Sequence, residues 1–159
     1  MKKEEEKLAG FNVWFQSVAG DYAEQIGEID DSDLWSVHSQ ASDGDLVLFY
    51  RTAPQSCVVD IFIVDGPVVQ TEAEWKDGLD YMAAMRRVCT LEEPLRWKDL
   101  KGDDRLGNAS FVKMQMQGRH RASDYWHVLL EMIVANNPAL AWLQQQYNPN
   151  KIRAKPRKL

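Results

Sequence analysis

The chain has few of the residues from which catalytic, metal and disulfide sites are built. Its 159 residues include only two cysteines, Cys57 and Cys89, and three histidines that lie far apart in sequence, His38, His120 and His127. No Cys-x-x-Cys or His-x-x-x-His pair is present, so the sequence does not predict a structural zinc site. A Gly-rich phosphate loop, a nucleophile elbow and a complete calcium loop are missing as well. We therefore expect a protein that is not an enzyme and that uses neither a metal nor a cofactor.

Long apolar runs are also missing. No segment approaches the ~20 apolar residues that a membrane helix needs, and the charged start at 1–7 lacks the apolar stretch of a secretory signal. Cys57 and Cys89 are each flanked by apolar residues, which favours buried free thiols over a disulfide. These absences predict a cytoplasmic protein without a membrane partner.

The composition is that of one ordinary globular domain. Hydrophobic residues make up 45% and charged residues 27%, and the length suffices for one core. We divide the chain into a charged tail at 1–10, a single domain at 11–147 and a basic tail at 148–159. The net charge of −5 is uneven, because the last nine residues include five basic and no acidic ones. An acidic body disfavours general nucleic-acid binding, whereas the tail could supply phosphate contacts or be only a solvated end.

Apolar runs predict several strands. Gly44-Asp45 is typical of a turn, and the almost fully apolar segments 46–50 and 57–64 that follow predict a β-hairpin covered on both faces. Segment 82–90 is ambiguous, since Ala83-Ala84-Met85 favours helix. Further strands are expected at 11–18, 34–38, 87–91 and 111–116.

Helical signals are fewer. Asp21 could cap a short helix at 22–27, and Thr71 could cap a helical turn with Glu74 at the capping-box position. Residues 94–100 resemble a helical turn that begins with Pro94. The strongest helix begins at Ser123, where apolar residues recur at helical spacing, and a further helical piece is expected at 139–147. These elements predict an α+β domain with a small β-barrel, short helices and a C-terminal amphipathic helix.

The order of these motifs resembles the EVE domain of the PUA-like superfamily, to which the YTH domains, readers of N6-methyladenine, are related. The resemblance spans roughly residues 11–133 and implies a small mixed β-barrel. Two segments depart from the family. Gln16 stands where EVE domains have lysine, and residues 38–42 replace a longer sequence whose basic and amide groups often line the EVE pocket. The segments that carry the resemblance are Val13-Trp14-Phe15-Gln16-Ser17, Trp35-Ser36-Val37, Gly-Asp-Leu-Val-Leu-Phe-Tyr at 44–50, the proline-leucine segment 93–100, the arginine-containing strand 117–121 and Tyr125-Trp126.

The resemblance implies a non-enzymatic nucleic-acid-binding module that accommodates a flipped, modified base in an aromatic pocket, with DNA favoured over RNA. Stacking on an aromatic side chain stabilises a base by about 1–3 kcal/mol. Trp35 would be the stacking wall and Trp75 a second wall. The remaining pocket residues would be Ser17, Ser36, Val37 and Asn108, and the phosphate contacts would come from Arg51, Lys113, Arg119 and Arg121.

Each of these residues also has a purely structural interpretation. Trp35 could be a core residue, Trp75 a packing residue and Asn108 a turn residue. Arg119 and Arg121 alternate along one strand face, which could simply be solvated. The same fold could also be a protein-interaction module, whose acidic surface docks a protein partner and whose pocket is vestigial. Three further tryptophans are expected in the core: Trp14, Trp97 and Trp126.

Overall fold

The computed structural model describes residues 10–18, 34–72 and 77–153, and within these ranges seven strands form one mixed sheet. The predicted helix at 22–27 and the predicted pocket residue Trp75 lie outside them. The strands are β1 (Val13–Val18), β2 (Leu34–Ser36), β3 (Leu46–Arg51), β4 (Cys57–Val64), β5 (Val69–Glu72), β6 (Leu79–Arg96) and β7 (Arg119–Arg121). The helices that follow β6 are α1 (Trp97–Gly102), α2 (Ser110–Lys113), α3 (Trp126–Asn136) and α4 (Leu143–Gln146).

The sheet curls into a half-barrel because one strand, β6, is 18 residues long and serves different neighbours along its length. Its first residues pair with β2 and β5, and the remainder pairs with β4. The strand order is β2-β6-β4-β3-β1-β7, with β5 on β6. Strands β1 and β3 run parallel, and the other ladders are antiparallel. The α+β class with a curled mixed sheet and short helices is therefore confirmed.

Both faces of the central strands are buried, as their continuous apolar runs predict. Phe15 of β1 and Leu48 of β3 belong to a core that the sheet shares with the helices. Their neighbours Trp14 and Phe49 point to the opposite face and belong to a second core inside the curl. The predicted helix at Ser123 is confirmed as a 3₁₀ turn followed by α3, whose buried face closes the first core.

Around β6, strand pairing overrides one predicted helical turn and resolves the ambiguous segment 82–90, all of which is strand. Thr71 and Glu72, predicted to open a helical turn, belong to β5 and pair with Asp80 and Leu79, whereas the predicted capping-box residue Glu74 lies outside the described residues. The helix formers Ala83-Ala84-Met85 are held in β6 by β2 on one side and β4 on the other. Hydrogen bonds between distant segments therefore decide this part of the fold.

Two further predictions fail near the helices. Pro94 does not begin a helix but lies inside β6, in the stretch where the register with β4 shifts, and α1 begins only at Trp97. A proline is tolerated there because the irregular stretch needs no N–H from it. Residues 111–116, predicted as a strand, form most of α2 and a turn in which Gln115 and Met116 have positive φ.

The two cysteines lie in the predicted strands as free thiols. Cys57 is buried in β4 and Cys89 is half-buried in β6. Cys57 opposes Arg96, whereas Cys89 opposes Ile61, so the two are offset along the ladder. Among residues 10–18, 34–72 and 77–153, no helix has both the length and the apolar character needed to cross a bilayer.

Candidate ligand pocket at the barrel seam

The two ends of the strand order, β2 and β7, share no ladder among the described residues, and side chains of β7 and of its neighbour β1 bridge this seam to β2 and the residue after it. The buried Gln16 of β1 donates from Nε2 to the carbonyl oxygen of Ser36 at 2.7 Å and to its Oγ at 3.1 Å. Arg119 of β7 donates to the carbonyl oxygen of Val37 at 2.7 Å. Its guanidinium also bonds both carboxylate oxygens of Asp80, at 3.0 and 2.6 Å. The residues that follow β2 are thus held in place by polar side chains from β1 and β7.

A fully buried carboxylate holds the end of β1 against β3. Asp45 is 0% exposed, and it accepts hydrogen bonds of 2.9 Å from Trp14 Nε1 and from the backbone N–H groups of Asn12 and Ser42. The guanidinium of Arg153 lies 3.4 Å away. A buried charge is tolerated only when it is bonded in this way. Asp45, which the sequence indicates as a turn residue, therefore fixes the position of the Trp14 ring.

His38 stacks on Trp14, with ring centroids 4.4 Å apart and planes at 20°. Its Nδ1 accepts a hydrogen bond of 3.0 Å from the N–H of Gln40, so the neutral ring carries its proton on Nε2. Burial lowers the pKa of His38, and the nearby Arg119 and His120 lower it further. His38 is therefore a neutral aromatic ring near pH 7, with Trp14 covering one of its faces.

A cavity of about 410 Å³, which we call the seam cavity, opens beside this histidine. Its volume lies in the lower part of the ~300–1,000 Å³ range of small-molecule sites. The loop after β2 and strand β7 contribute His38, Arg119, His120 and Arg121, and the helical segment contributes Asn108, Ser110, Asp124 and Tyr125. Three of the predicted site residues, Asn108, Arg119 and Arg121, are thereby brought together.

The second arginine of β7 has a different set of partners from the first. Arg121 donates from Nη2 to Asn12 Oδ1 at 3.0 Å and to the carbonyl oxygen of Arg153 at 3.2 Å. Its Nη1 donates to Asp124 Oδ1 at 3.0 Å. The Arg121 side chain is 16% exposed, whereas that of Asp124 is 76% exposed. The seam cavity therefore has one arginine with a buried carboxylate partner and one whose carboxylate partner lies in water.

The other histidine of the cavity is tied into the wall. His120 Nε2 bonds the carbonyl oxygen of Gln117, and its Nδ1 lies 3.1 Å from Ser110 Oγ. Since a carbonyl only accepts, the proton of the neutral ring lies on Nε2, and Nδ1 accepts from the serine hydroxyl. Both ring nitrogens are thus engaged with the protein.

Four other predicted site residues do not line the seam cavity. Ser17 Oγ accepts a hydrogen bond of 3.0 Å from the N–H of Gly118, directly before β7. Trp35 is half-buried, packs on the second core and meets Phe49 edge-on at 5.8 Å. Arg51 pairs with the buried Asp60. Lys113 is exposed on α2. None of these residues lines the seam cavity.

Sequence reasoning missed three residues that build the site: Trp14, His38 and Asp45. Trp14 was predicted as core, and it is buried, but one face of its ring supports His38. His38 carried no signal of its own, because it lies in the shortened segment after β2. The signal for Asp45 was an acidic residue directly before a buried strand, a position from which it can accept bonds from neighbouring backbone N–H groups.

The chain matches no protein-family model and no curated protein. Solved structures with the same fold include a protein from Rhodopseudomonas palustris (14% identity, 77% of this chain and 92% of that chain, TM-score 0.61). A protein from Agrobacterium tumefaciens is 16% identical over 90% of this chain and 99% of its own, with a TM-score of 0.60. A hypothetical protein from Leishmania major is 16% identical over 82% of this chain and 97% of its own, with a TM-score of 0.62.

At these identities the likeness shows the fold alone. A ZmASCH mutant protein from Zymomonas mobilis aligns more weakly, with 12% identity over 56% of this chain and 78% of its own and a TM-score of 0.44. That score is too low to carry an argument.

Proposed function

We propose that this chain is a nucleic-acid-binding module of the PUA-like, EVE-related type, which takes up one flipped, modified base in the seam cavity. The observation that carries the proposal is the His38–Trp14 stack beside Arg119 and Arg121. It places a flat aromatic surface next to two guanidinium groups in one cavity. A base gains about 1–3 kcal/mol by stacking on such a surface, and guanidinium groups suit phosphate oxygens.

The polar groups of the seam cavity suit the edge of a base. The neutral His38 offers an N–H donor at Nε2, and the exposed amide of Asn108 offers both donors and an acceptor. Hydrogen bonds from such groups distinguish one base edge from another once the base has left the stack. DNA remains the favoured target, as the motif order implies.

A binding role suits the cavity better than a catalytic one. His120 has both ring nitrogens bonded to the protein, and Arg119 has its guanidinium bonded to Asp80 and Val37. These groups shape the wall of the cavity, and His38, whose ring is neutral near pH 7, meets a ligand there as a hydrogen-bond donor.

A gel-shift titration tests the proposal. Single- and double-stranded DNA and RNA oligonucleotides would carry 5-methylcytosine, 5-hydroxymethylcytosine or N6-methyladenine at one position, with unmodified strands beside them. We expect one modified strand to bind most tightly. His38→Leu, which keeps volume but removes the flat ring, should weaken that binding about tenfold.

Two control variants make the result specific. His127→Leu changes an exposed histidine of α3 outside the cavity, and this variant should bind the oligonucleotides as tightly as the wild-type protein does. Trp35→Ala removes the wall that the sequence predicts. Loss of base preference with Trp35→Ala but not with His38→Leu would move the pocket to Trp35. Failure of every oligonucleotide to bind would overturn the proposal and leave the protein-interaction alternative.

A further inference from the structure

Arg121 is held in a fixed orientation by groups that carry no charge. Its Nη2 bonds Asn12 Oδ1 and the carbonyl oxygen of Arg153, and Asn12 Oδ1 in turn accepts from Ser123 Oγ at 2.9 Å. The Arg121 side chain is also only 16% exposed, so it loses little conformational entropy when a ligand binds. These contacts hold a cationic group in the wall of the seam cavity.

The ion-pair partner of Arg121 is of the opposite kind. Asp124 is 76% exposed and reaches Arg121 through a single 3.0 Å bond to Nη1. An exposed pair of this type is weak because water competes for both partners. Asp124 is also the only carboxylate among the residues that line the cavity.

We propose that, in the absence of ligand, Asp124 occupies the position on Arg121 at which a phosphate group binds. A phosphate of the bound nucleotide then displaces the Asp124 carboxylate. The inference rests on the proposed function, and it names the part of the ligand that Arg121 contacts. When Asp124 turns into solvent, Nη1 of a preoriented arginine becomes available and the only negative charge of the cavity wall is removed. A phosphate oxygen can then accept the hydrogen bond that Asp124 accepted. Asp124 thus tunes affinity by competing with the ligand.

The test uses phosphate itself as the probe. Inorganic phosphate would be titrated into the full chain and followed by the ¹H–¹⁵N amide shifts of residues 119–124. Asp124→Asn keeps the shape of the side chain but replaces its ion pair with Arg121 by a weaker neutral hydrogen bond. We expect this variant to bind phosphate about threefold more tightly than the wild-type protein. The matched control is Glu131→Gln, which makes the same change of charge at an exposed carboxylate that pairs with Arg105 outside the cavity.

A second arm separates the two sources of phosphate. A thymidine dinucleotide with one internal phosphodiester and a deoxynucleoside 5′-monophosphate would be titrated in the same way. Tighter binding of the dinucleotide assigns Arg121 to the strand backbone, whereas tighter binding of the monophosphate assigns it to a strand end. Either result supports the displacement of Asp124 if Asp124→Asn strengthens binding.

The proposal is overturned if phosphate leaves the amides at 119–124 unshifted, or if Asp124→Asn binds no more tightly than Glu131→Gln. These failures are distinguishable from failure of the proposed function. Phosphate binding without any preference for a modified base would leave the role of Asp124 standing and overturn the base-binding function. A preference for a modified base without any effect of Asp124→Asn would support the base-binding function and overturn the proposed role of Asp124.

Discussion

Arg119 and Arg121 lie two residues apart on β7 and line the same cavity, but they differ in what their carboxylate partners do. Asp80, the partner of Arg119, is 5% exposed, and the pair ties β7 to β6, while a separate bond from Arg119 reaches the carbonyl oxygen of Val37 after β2. Asp124, the partner of Arg121, is 76% exposed and lies only three residues further along the chain. Burial thus separates an ion pair that joins two strands of the curled sheet from the exposed pair at which we propose that a ligand exchanges with the carboxylate.

The largest effect should come from the buried pair. Asp80→Asn leaves Arg119 without its counter-charge and is expected to lower the free energy of unfolding by about 3 kcal/mol, the lower end of the range for breaking a buried pair, because the Arg119 side chain is 29% exposed. Urea denaturation followed by circular dichroism measures this difference. A loss below about 1 kcal/mol would mean that solvent reaches Arg119 freely enough to replace Asp80.

The second seam contact should have a smaller effect. Gln16→Leu removes both bonds to Ser36 and leaves a buried carbonyl oxygen without that donor, which should cost about 2 kcal/mol. The same substitution at the exposed Gln145 of α4 serves as the control. Equal denaturation midpoints for the two variants would show that the bonds from Gln16 to Ser36 do not stabilise the seam.

Acid should weaken the cavity wall through His38. Its pKa is lowered below its ordinary value of 6.5 in the folded protein by burial, and further by Arg119 and His120. The unfolded chain therefore binds more protons between these two values, so the stability that His38 contributes is complete above pH 6.5. It is lost as the pH falls through the folded-state pKa.

Urea midpoints at pH 7.5 and pH 5 measure this loss. His38→Leu should lose less stability on acidification than the unmodified protein, and His127→Leu should lose as much. Identical pH profiles for the three proteins would show that His38 protonates equally in the folded and unfolded states.

The smallest effect on stability is expected at the exposed pair. Asp124→Asn should change the free energy of unfolding by less than about 0.5 kcal/mol, because exposed ion pairs contribute little. The measurement is the same urea titration, and Asp80→Asn provides the contrast. A large loss at Asp124 would mean that it serves the fold and is not exchangeable.

The elements that the sequence predicted are those whose signal is local. The turn at Gly44-Asp45 and the apolar runs that follow it form the β3–β4 hairpin, and the helical spacing after Ser123 forms α3. Trp14 and Trp126 were predicted to be buried, and both are. At these positions the apolar sequence pattern agrees with the observed burial, because a continuous apolar segment is stable only in the protein interior.

The elements that escaped prediction depend on partners distant in sequence. Thr71 and Glu72, predicted to open a helical turn, and the helix formers Ala83-Ala84-Met85 instead find backbone partners in β6, β2 and β4. The candidate site escaped in the same way. His38 becomes a stacking surface only because Trp14, 24 residues earlier, is held beneath it by the buried Asp45.

The sequence by itself determined which segments have to be buried and where the chain turns, because these follow from the apolar pattern and from turn residues. It also supplied the arginines of β7 and the polar residues around them. Only the tertiary structure decided that one arginine meets a buried carboxylate and the other an exposed one. That difference follows from where the two carboxylates lie, since Asp80 in β6 is 5% exposed and Asp124, just before α3, is 76% exposed. Solvent exposure sets the strength of an ion pair, and it is a property of the folded arrangement and not of residue type.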